Sequence, residues 1–390
     1  MTASDETMMR DLMSTVDPPP TRIDLSELVR NGRRAARRRT RSAVAVVGVF
    51  AVLLAAFAAV TGLGATRGGD TGPPAVRPAP GCTVERLALP DGTRYGSVSA
   101  ASPDGRYLAG FAAGDGTATP VRWEGPRPQP IRGIRAGIAT GVNDSGVVVG
   151  RTLGADGRQT AWAYAGDTVA ELPIPAGFDG AAAYSINKAG HVAGVLFGGG
   201  RTAAAVWYGA TADARVVVLA AKGEAMAFGI ADSGVVVGAR NGGGPYRWDA
   251  DGRGGPLAQP PGTAGGEALG VRGDWAYGQL DDADRPAPDL LGGVLRPAER
   301  RIAVRWNLRT GEATAVAAGR TGAISAGGLL VVNQSDGTAT LVAPDGTRRT
   351  LPHLAGSGPS NANAFNTDGT LIAGDSARTP ARWTCGTGAR

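Results

Sequence analysis

Two cysteines, two histidines and a scatter of aspartates are the side chains with which this 390-residue chain could do chemistry. His191 and His353 lie far apart, with no metal-ligand spacing around either. Asp104, Asp144, Asp232, Asp336, Asp345 and Asp368 stand in turn-like segments, where a carboxylate usually bonds its own backbone. No HExxH, GxSxG, P-loop or EF-hand spacing occurs. Two distant carboxylates could still meet as a glycosidase pair. No cofactor is expected and no catalytic residue is nominated. Cys82 opens CTVERLALP and Cys385 follows PARW, five residues before the end.

The segments carrying these residues repeat every 40–55 residues or so. One marker runs YGSVSAASPDGRYLAG (95–110), AGIATGVNDSGVVVG (136–150), AAAYSINKAGHVAG (181–194), AMAFGIADSGVVVG (225–238), GEALGVRGDWAYG (266–278), GRTGAISAGGLLVV (319–332) and NANAFNTDGTLIAG (361–374). Each reads as a strand, a tight turn and a second apolar strand. A tryptophan marker follows most units, at Trp123, Trp162, Trp207, Trp248, Trp306 and Trp383; the sixth unit lacks one. A weaker third marker is a strand ending such as VAELP, VVVLA or RRTLP.

Four short strands at this period predict an all-β chain folded as a seven-bladed β-propeller over 82–390. A non-closing solenoid is the structural alternative. Small residues of the first strands, Ala139, Ala183, Ala227, Ala323 and Ala364, suit the crowded region near the axis, and the tryptophans suit wedges between blades. The last unit supplies only about three strands. CTVERLALP is a spare strand upstream, so residues 82–89 are expected to complete the seventh blade by N-terminal strand exchange. That placement sets Cys82 beside Cys385 and predicts a disulfide, which an exterior compartment permits. Two free thiols are the alternative. The SxDxGxxW box of sialidase-type propellers is absent, because SPDGRYLAG lacks its tryptophan.

The units GVNDSGVVVG (141–150), SINKAGHVAG (185–194) and GIADSGVVVG (229–238) resemble the extracellular HAF repeats, in which GINxxGxVVG recurs before an Ala-Phe-x-Trp segment. The resemblance covers about 300 residues. It implies an exported repeat domain and assigns no chemistry.

Upstream of the repeats, residues 43–65 read AVAVVGVFAVLLAAFAAVTGLGA, with no charge. As a helix they span about 34 Å, enough for a hydrocarbon core of about 30 Å. Arg33, Arg34, Arg37, Arg38, Arg39 and Arg41 precede this run, whereas only Arg67 and Arg77 closely follow it. The bias predicts a single-pass protein with a cytoplasmic N-terminus, a juxtamembrane arginine anchor against the lipid bilayer and a C-terminal domain outside. A cleaved secretory signal is the alternative. Residues 66–81, rich in Gly and Pro, read as a stalk.

Within the tail, residues 1–42, Met8, Met9, Leu12, Met13 and Val16 recur at helical spacing. They predict either a frayed segment or a short amphipathic element docking on a cytoplasmic protein. PPPTRIDLSELVRNGRRAARRRTR (18–41) resembles the juxtamembrane stretch of actinobacterial membrane proteins associated with extracytoplasmic-function sigma factors. That layout implies a sigma factor as the tail's partner. The histidine- and cysteine-containing motif of zinc-type anti-sigma domains is missing.

The net charge of +6 does not suggest nucleic acid once located: the tail holds nine basic and six acidic residues, leaving 31 and 28 elsewhere, a net of +3. One unit carries a longer connection, DDADRPAPDLLGGVLRPAER (281–300), whose Leu290, Leu291, Val294 and Leu295 form an apolar patch. This loop is either a binding element for an exterior ligand or disordered; exposure of Trp275 and Tyr277 would favour binding. Two function classes follow. One is a membrane-tethered binding, sensor or scaffold propeller, with a tail regulating a sigma factor. The other is an anchored carbohydrate-binding or hydrolytic propeller.

Overall fold

The computed structural model describes residues 81–386, apart from 115, 155–156, 242–243, 285–300 and 356–357. The tail 1–42 with its Met8–Val16 stripe and arginines, the span 43–65, stalk residues 66–80 and the patch Leu290, Leu291, Val294 and Leu295 lie outside the described residues. Within them, 28 strands, numbered β1 to β28 in chain order, form seven four-stranded antiparallel sheets. No helix there is long and apolar enough to cross a membrane.

Six sheets use four consecutive strands. Their innermost strands are β2 (Tyr95–Ala101), β6 (Gly137–Val142), β10 (Gly180–Ile186), β14 (Ala225–Ile230), β18 (Thr263–Arg272) and β22 (Arg320–Ile324). The seventh sheet has the order β1-β28-β27-β26, combining Cys82–Arg86 with Thr379–Cys385, Leu371–Ser376 and Ser360–Phe365. The expected strand exchange is therefore present, and the fold is a closed seven-bladed propeller. Closure leaves no blade with an unpacked face, which an open array of such sheets would expose.

The core is not one mass but seven slabs, each between neighbouring blades. Val149 and Leu172 meet Ala183 and Trp207 between blades two and three. Val98 and Trp123 meet Ala364 and Ala373 where blade one closes on blade seven. Ala139, Ala183 and Ala227 are fully buried in these slabs. Their small size serves close blade packing; of the five first-strand alanines, Ala323 and Ala364 line the channel and these three do not.

The third marker has a packing role. Leu87, Ile131, Leu172, Leu219, Leu257 and Leu351 each follow an outer strand and are buried. Each N–H bonds the adjacent third strand, as Leu172 does to Ala161 at 2.9 Å. The next carbonyl then receives an indole from the following blade: Trp123 to Ala88, Trp207 to Pro173, Trp248 to Ala220, Trp306 to Ala258 and Trp383 to Pro352, at 2.6–2.8 Å.

Blade two departs from its sequence marker. Trp207 pairs with Val192, two residues before Gly194, but the matching partner of Val148 is Tyr164. Trp162 stands two positions earlier, opposite Gly150, and its buried Nε1 has no hydrogen-bond partner. Tyr164 takes the tryptophan's place; its hydroxyl donates to Asp167 and accepts from Gln129 of blade one. Blade six has Val342 at this place, and the linker before it lacks the buried leucine.

Candidate functional site

Six of the seven inner strands break register at one equivalent place: Val98/Ala100, Ala139/Gly141, Ala183/Ser185, Ala227/Gly229, Ala268/Gly270 and Ala362/Ala364. In blade six the shift is longer, between Thr321 and Ile324. A bulge re-aims the extra residue away from the sheet faces. The bulged residues Ser99, Thr140, Tyr184, Phe228, Leu269, Gly322 and Asn363 all line a central channel of about 310 Å³.

The repeat's terminal glycine answers to this geometry. Gly110, Gly150, Gly194, Gly238, Gly278 and Gly374 stand opposite the bulges, and a Cβ there would lie 1.8–2.2 Å from the facing carbonyl oxygen. Only glycine lets the second strand approach so closely. Blade six, with its longer shift, has Val332 there.

The channel wall is two-sided. Tyr184, Phe228 and Leu269, on consecutive blades, form an apolar wall, with the first two rings edge to face at 5.2 Å. Ser99, Thr140 and Asn363, across the axis, form a polar one. Thr140 donates to Ala183 O and Asn363 to Val98 O, so these polar side chains also tie neighbouring inner strands.

One end of the channel is ringed by the first hairpin turns. Asn143 Oδ1 accepts from Ser145 and Val147 N–H, while its amide donates to Asn187 O of the next blade; Asn187 donates in turn to Ala231 O. Two turn aspartates also act between blades: Asp144 accepts from Asp104 N–H and Asp232 from Lys188 N–H. Asp336, Asp345 and Asp368 bond their own turns, as expected. Burial raises the Asp144 carboxyl, opposed by the hydrogen bond from Asp104 N–H and aided by the carboxylates of Asp104 and Asp232. Burial opposes the net lowering of Asp104, which hydrogen bonds from Ser102 and Arg106 bring about.

Blade five places Arg272 where the other blades place serine, asparagine or alanine. Its Nη2 crosses the channel end to Phe365 O at 3.2 Å and Ala101 O at 3.5 Å, on blades seven and one. Burial lowers the guanidinium's pKa, opposed by Tyr277, Asp232 and Asp144. Tyr277 keeps some contact with the channel but has its hydroxyl enclosed by protein, and burial pushes it up to about 12. Tyr277 and Trp275 pack inward against the slab between blades five and six. Arg151 donates to the Tyr184 hydroxyl and lies over its ring.

Of the nominated residues, the structure joins Cys82 and Cys385, which face each other on paired strands in a disulfide with a Cα separation of 4.0 Å. That is a little under the usual range of about 4.4–6.8 Å. Cys385 N–H also bonds Thr370 O in the first turn of blade seven, so the chain joins the ring at the Arg272 end. His191 packs edge to face on Tyr208, and His353 Nδ1 pairs with Ser360 Oγ. Among the described residues no group of three His, Cys, Asp or Glu is arranged to hold a metal. Among the described residues Asp232 is the one carboxylate on the channel wall. The bulged residues were not nominated: their position, which follows an alanine in five of the seven units, reads Ser, Thr, Tyr, Phe, Leu, Gly, Asn and carries no shared residue type to single it out. Compared with models of known families and with characterised proteins, the sequence matches none.

Proposed function

We propose that this chain is a single-pass membrane protein whose exterior propeller is a binding or sensor module, with residues 1–42 contacting a cytoplasmic protein. The observation that carries the binding role is the channel wall. Positions that build the slabs repeat from blade to blade, whereas the bulged positions facing the channel differ in almost every blade. The Cys82–Cys385 bond fits an oxidising compartment. The arginine bias before 43–65 supports a cytoplasmic tail, and the 18–41 resemblance makes a sigma factor the partner class to test.

Tags at both ends of the full chain, expressed in intact spheroplasts, test the topology. External protease should remove the C-terminal tag and spare the N-terminal one; the opposite pattern would overturn the anchor. Co-purification from cross-linked membranes tests the tail. Leu12→Asp with Met13→Asp should abolish capture of the cytoplasmic partner without moving the protein from the membrane. Unchanged capture, or no cytoplasmic protein captured by the wild type, would remove the docking role.

A further inference from the structure

Arg305 and Arg272 both serve backbone carbonyls without an ion pair among the described residues, but Arg272 alone of the two lines the channel, and it uses a single nitrogen. A guanidinium withdrawn from water ordinarily has a carboxylate partner, because desolvating a charge is costly. Arg272 is largely withdrawn from solvent, yet among the described residues it makes no ion pair. Its Nη2 serves two backbone carbonyls, and no described group accepts from Nε or Nη1. Asp144 and Asp232 influence it only from a distance, their nearest donors being the turn N–H groups of Asp104 and Lys188.

The rest of the cavity narrows the chemistry that would complete this group. Its charged lining comprises Arg151, Arg272 and Asp232, a net positive set. The same cavity is lined by the wall of Tyr184, Phe228 and Leu269, aimed inward by the bulges. Its volume of about 310 Å³ lies at the small end of organic-ligand sites. Ser99 offers a hydroxyl with no described partner on the opposite wall.

We propose that the channel binds a small organic carboxylate with a flat apolar body, the carboxylate on Arg272 and the body against Phe228, Tyr184 and Leu269. This inference rests on the reading of the propeller as a binding module and specifies what it binds. Guanidinium and carboxylate match in shape, and a pairing inside the ring is weakly screened. The two carbonyls that Nη2 already holds fix the arginine in place before the ligand arrives, which limits the ordering cost of binding.

Three probes sharing one ring separate charge from shape: indole-3-acetate, indole and tryptamine. Each is titrated by ligand-observed saturation-transfer NMR against the full chain in lipid nanodiscs, with empty nanodiscs as the blank. Indole-3-acetate should bind at least about tenfold more tightly than indole, the size expected of a charge-assisted contact, and tryptamine should be the weakest. Arg272→Met should erase the preference for the acetate while keeping weak indole binding, and Arg272→Lys should restore part of it. Leu269→Trp, which fills the cavity and leaves the charge, should weaken all three probes. Retention of the Cys82–Cys385 cross-link and an unchanged unfolding midpoint certify each variant as folded. Equal binding of the three probes, or a preference for tryptamine, would overturn the anion assignment and leave the channel as a binding site. Failure of every probe up to millimolar concentration would reject the ligand class proposed here; the topology and tail experiments on the anchored module report separately.

Discussion

The indole Nε1 of Trp383 donates to the carbonyl of Pro352 at 2.7 Å, joining blade seven to the linker that leaves blade six. The same bond recurs at Trp123, Trp207, Trp248 and Trp306, always backward across one blade boundary. Five of the seven slabs thus carry this directional bond amid non-directional packing. The bond fixes the depth at which the next blade docks.

Trp207→Phe removes this donor and leaves the partly buried Pro173 carbonyl without it, a loss of about 1–3 kcal/mol before the lost packing is counted. Trp162 is equally buried but its Nε1 has no partner. Trp162→Phe should therefore cost less than Trp207→Phe by about 1 kcal/mol or more. Urea unfolding midpoints of the two variants make the comparison; equal losses would show that the indole bond adds nothing to packing.

The disulfide closes a sequence separation of 303 residues, for which a chain-entropy model gives an upper figure of about 6 kcal/mol. Replacing Cys82 and Cys385 by serine should loosen the seam first, because β1 is otherwise held by its ladder to β28, the Leu87 anchor and the Glu85–Arg382 ion pair. Amides of β1 and β28 should exchange faster with deuterium while those of 191–208 keep their protection. A uniform rise around the ring would mean that the seam is no weaker than the other slabs. Peptide mapping without reductant should show the Cys82 and Cys385 peptides linked.

Asp375 is buried at the junction of blades seven and one, where Ser97 Oγ donates to it at 2.8 Å. Burial raises its pKa above the ordinary 3.8, against the opposing pull of Ser97, Asn361, the Arg378 N–H and Arg320. A carboxyl with a raised folded-state pKa binds its proton more tightly in the native ring. Its stabilising effect is complete below 3.8 and is lost as pH rises through the raised value. Asp375→Asn cannot titrate. Its stability relative to wild type should therefore improve as pH rises from the acid range toward neutrality. Midpoints measured across that range check the sign; a relative stability that declines toward neutral pH would show that Arg320 holds the carboxylate charged.

Much of the architecture was legible in the sequence because the repeat places like residues at like positions. The turn signals, the paired apolar runs and the tryptophans gave the blade count. The missing fourth strand of the last unit, with CTVERLALP left over, gave strand exchange and the disulfide. These are local patterns plus one counting argument. Register across strands was harder to read. TAWAY looked equivalent to AAVW, yet pairing sets Tyr164, not Trp162, in the wedge position, because nothing within one strand fixes its alignment to the next.

The sequence by itself determined that this chain has a long apolar run behind an arginine cluster and seven β units behind that. Those features depend on neighbours along the chain, where spacing and polarity are explicit. The tertiary structure alone decided what faces the channel. A bulge exists only between two paired strands, so no single strand announces that Tyr184, Phe228 and Leu269 turn inward. Arg272 likewise reads as one arginine among many until closure brings blades seven and one within reach of its side chain. Its charge was evident from its identity; its lack of an ion-pair partner among the described residues depends on which groups the closed ring sets around it.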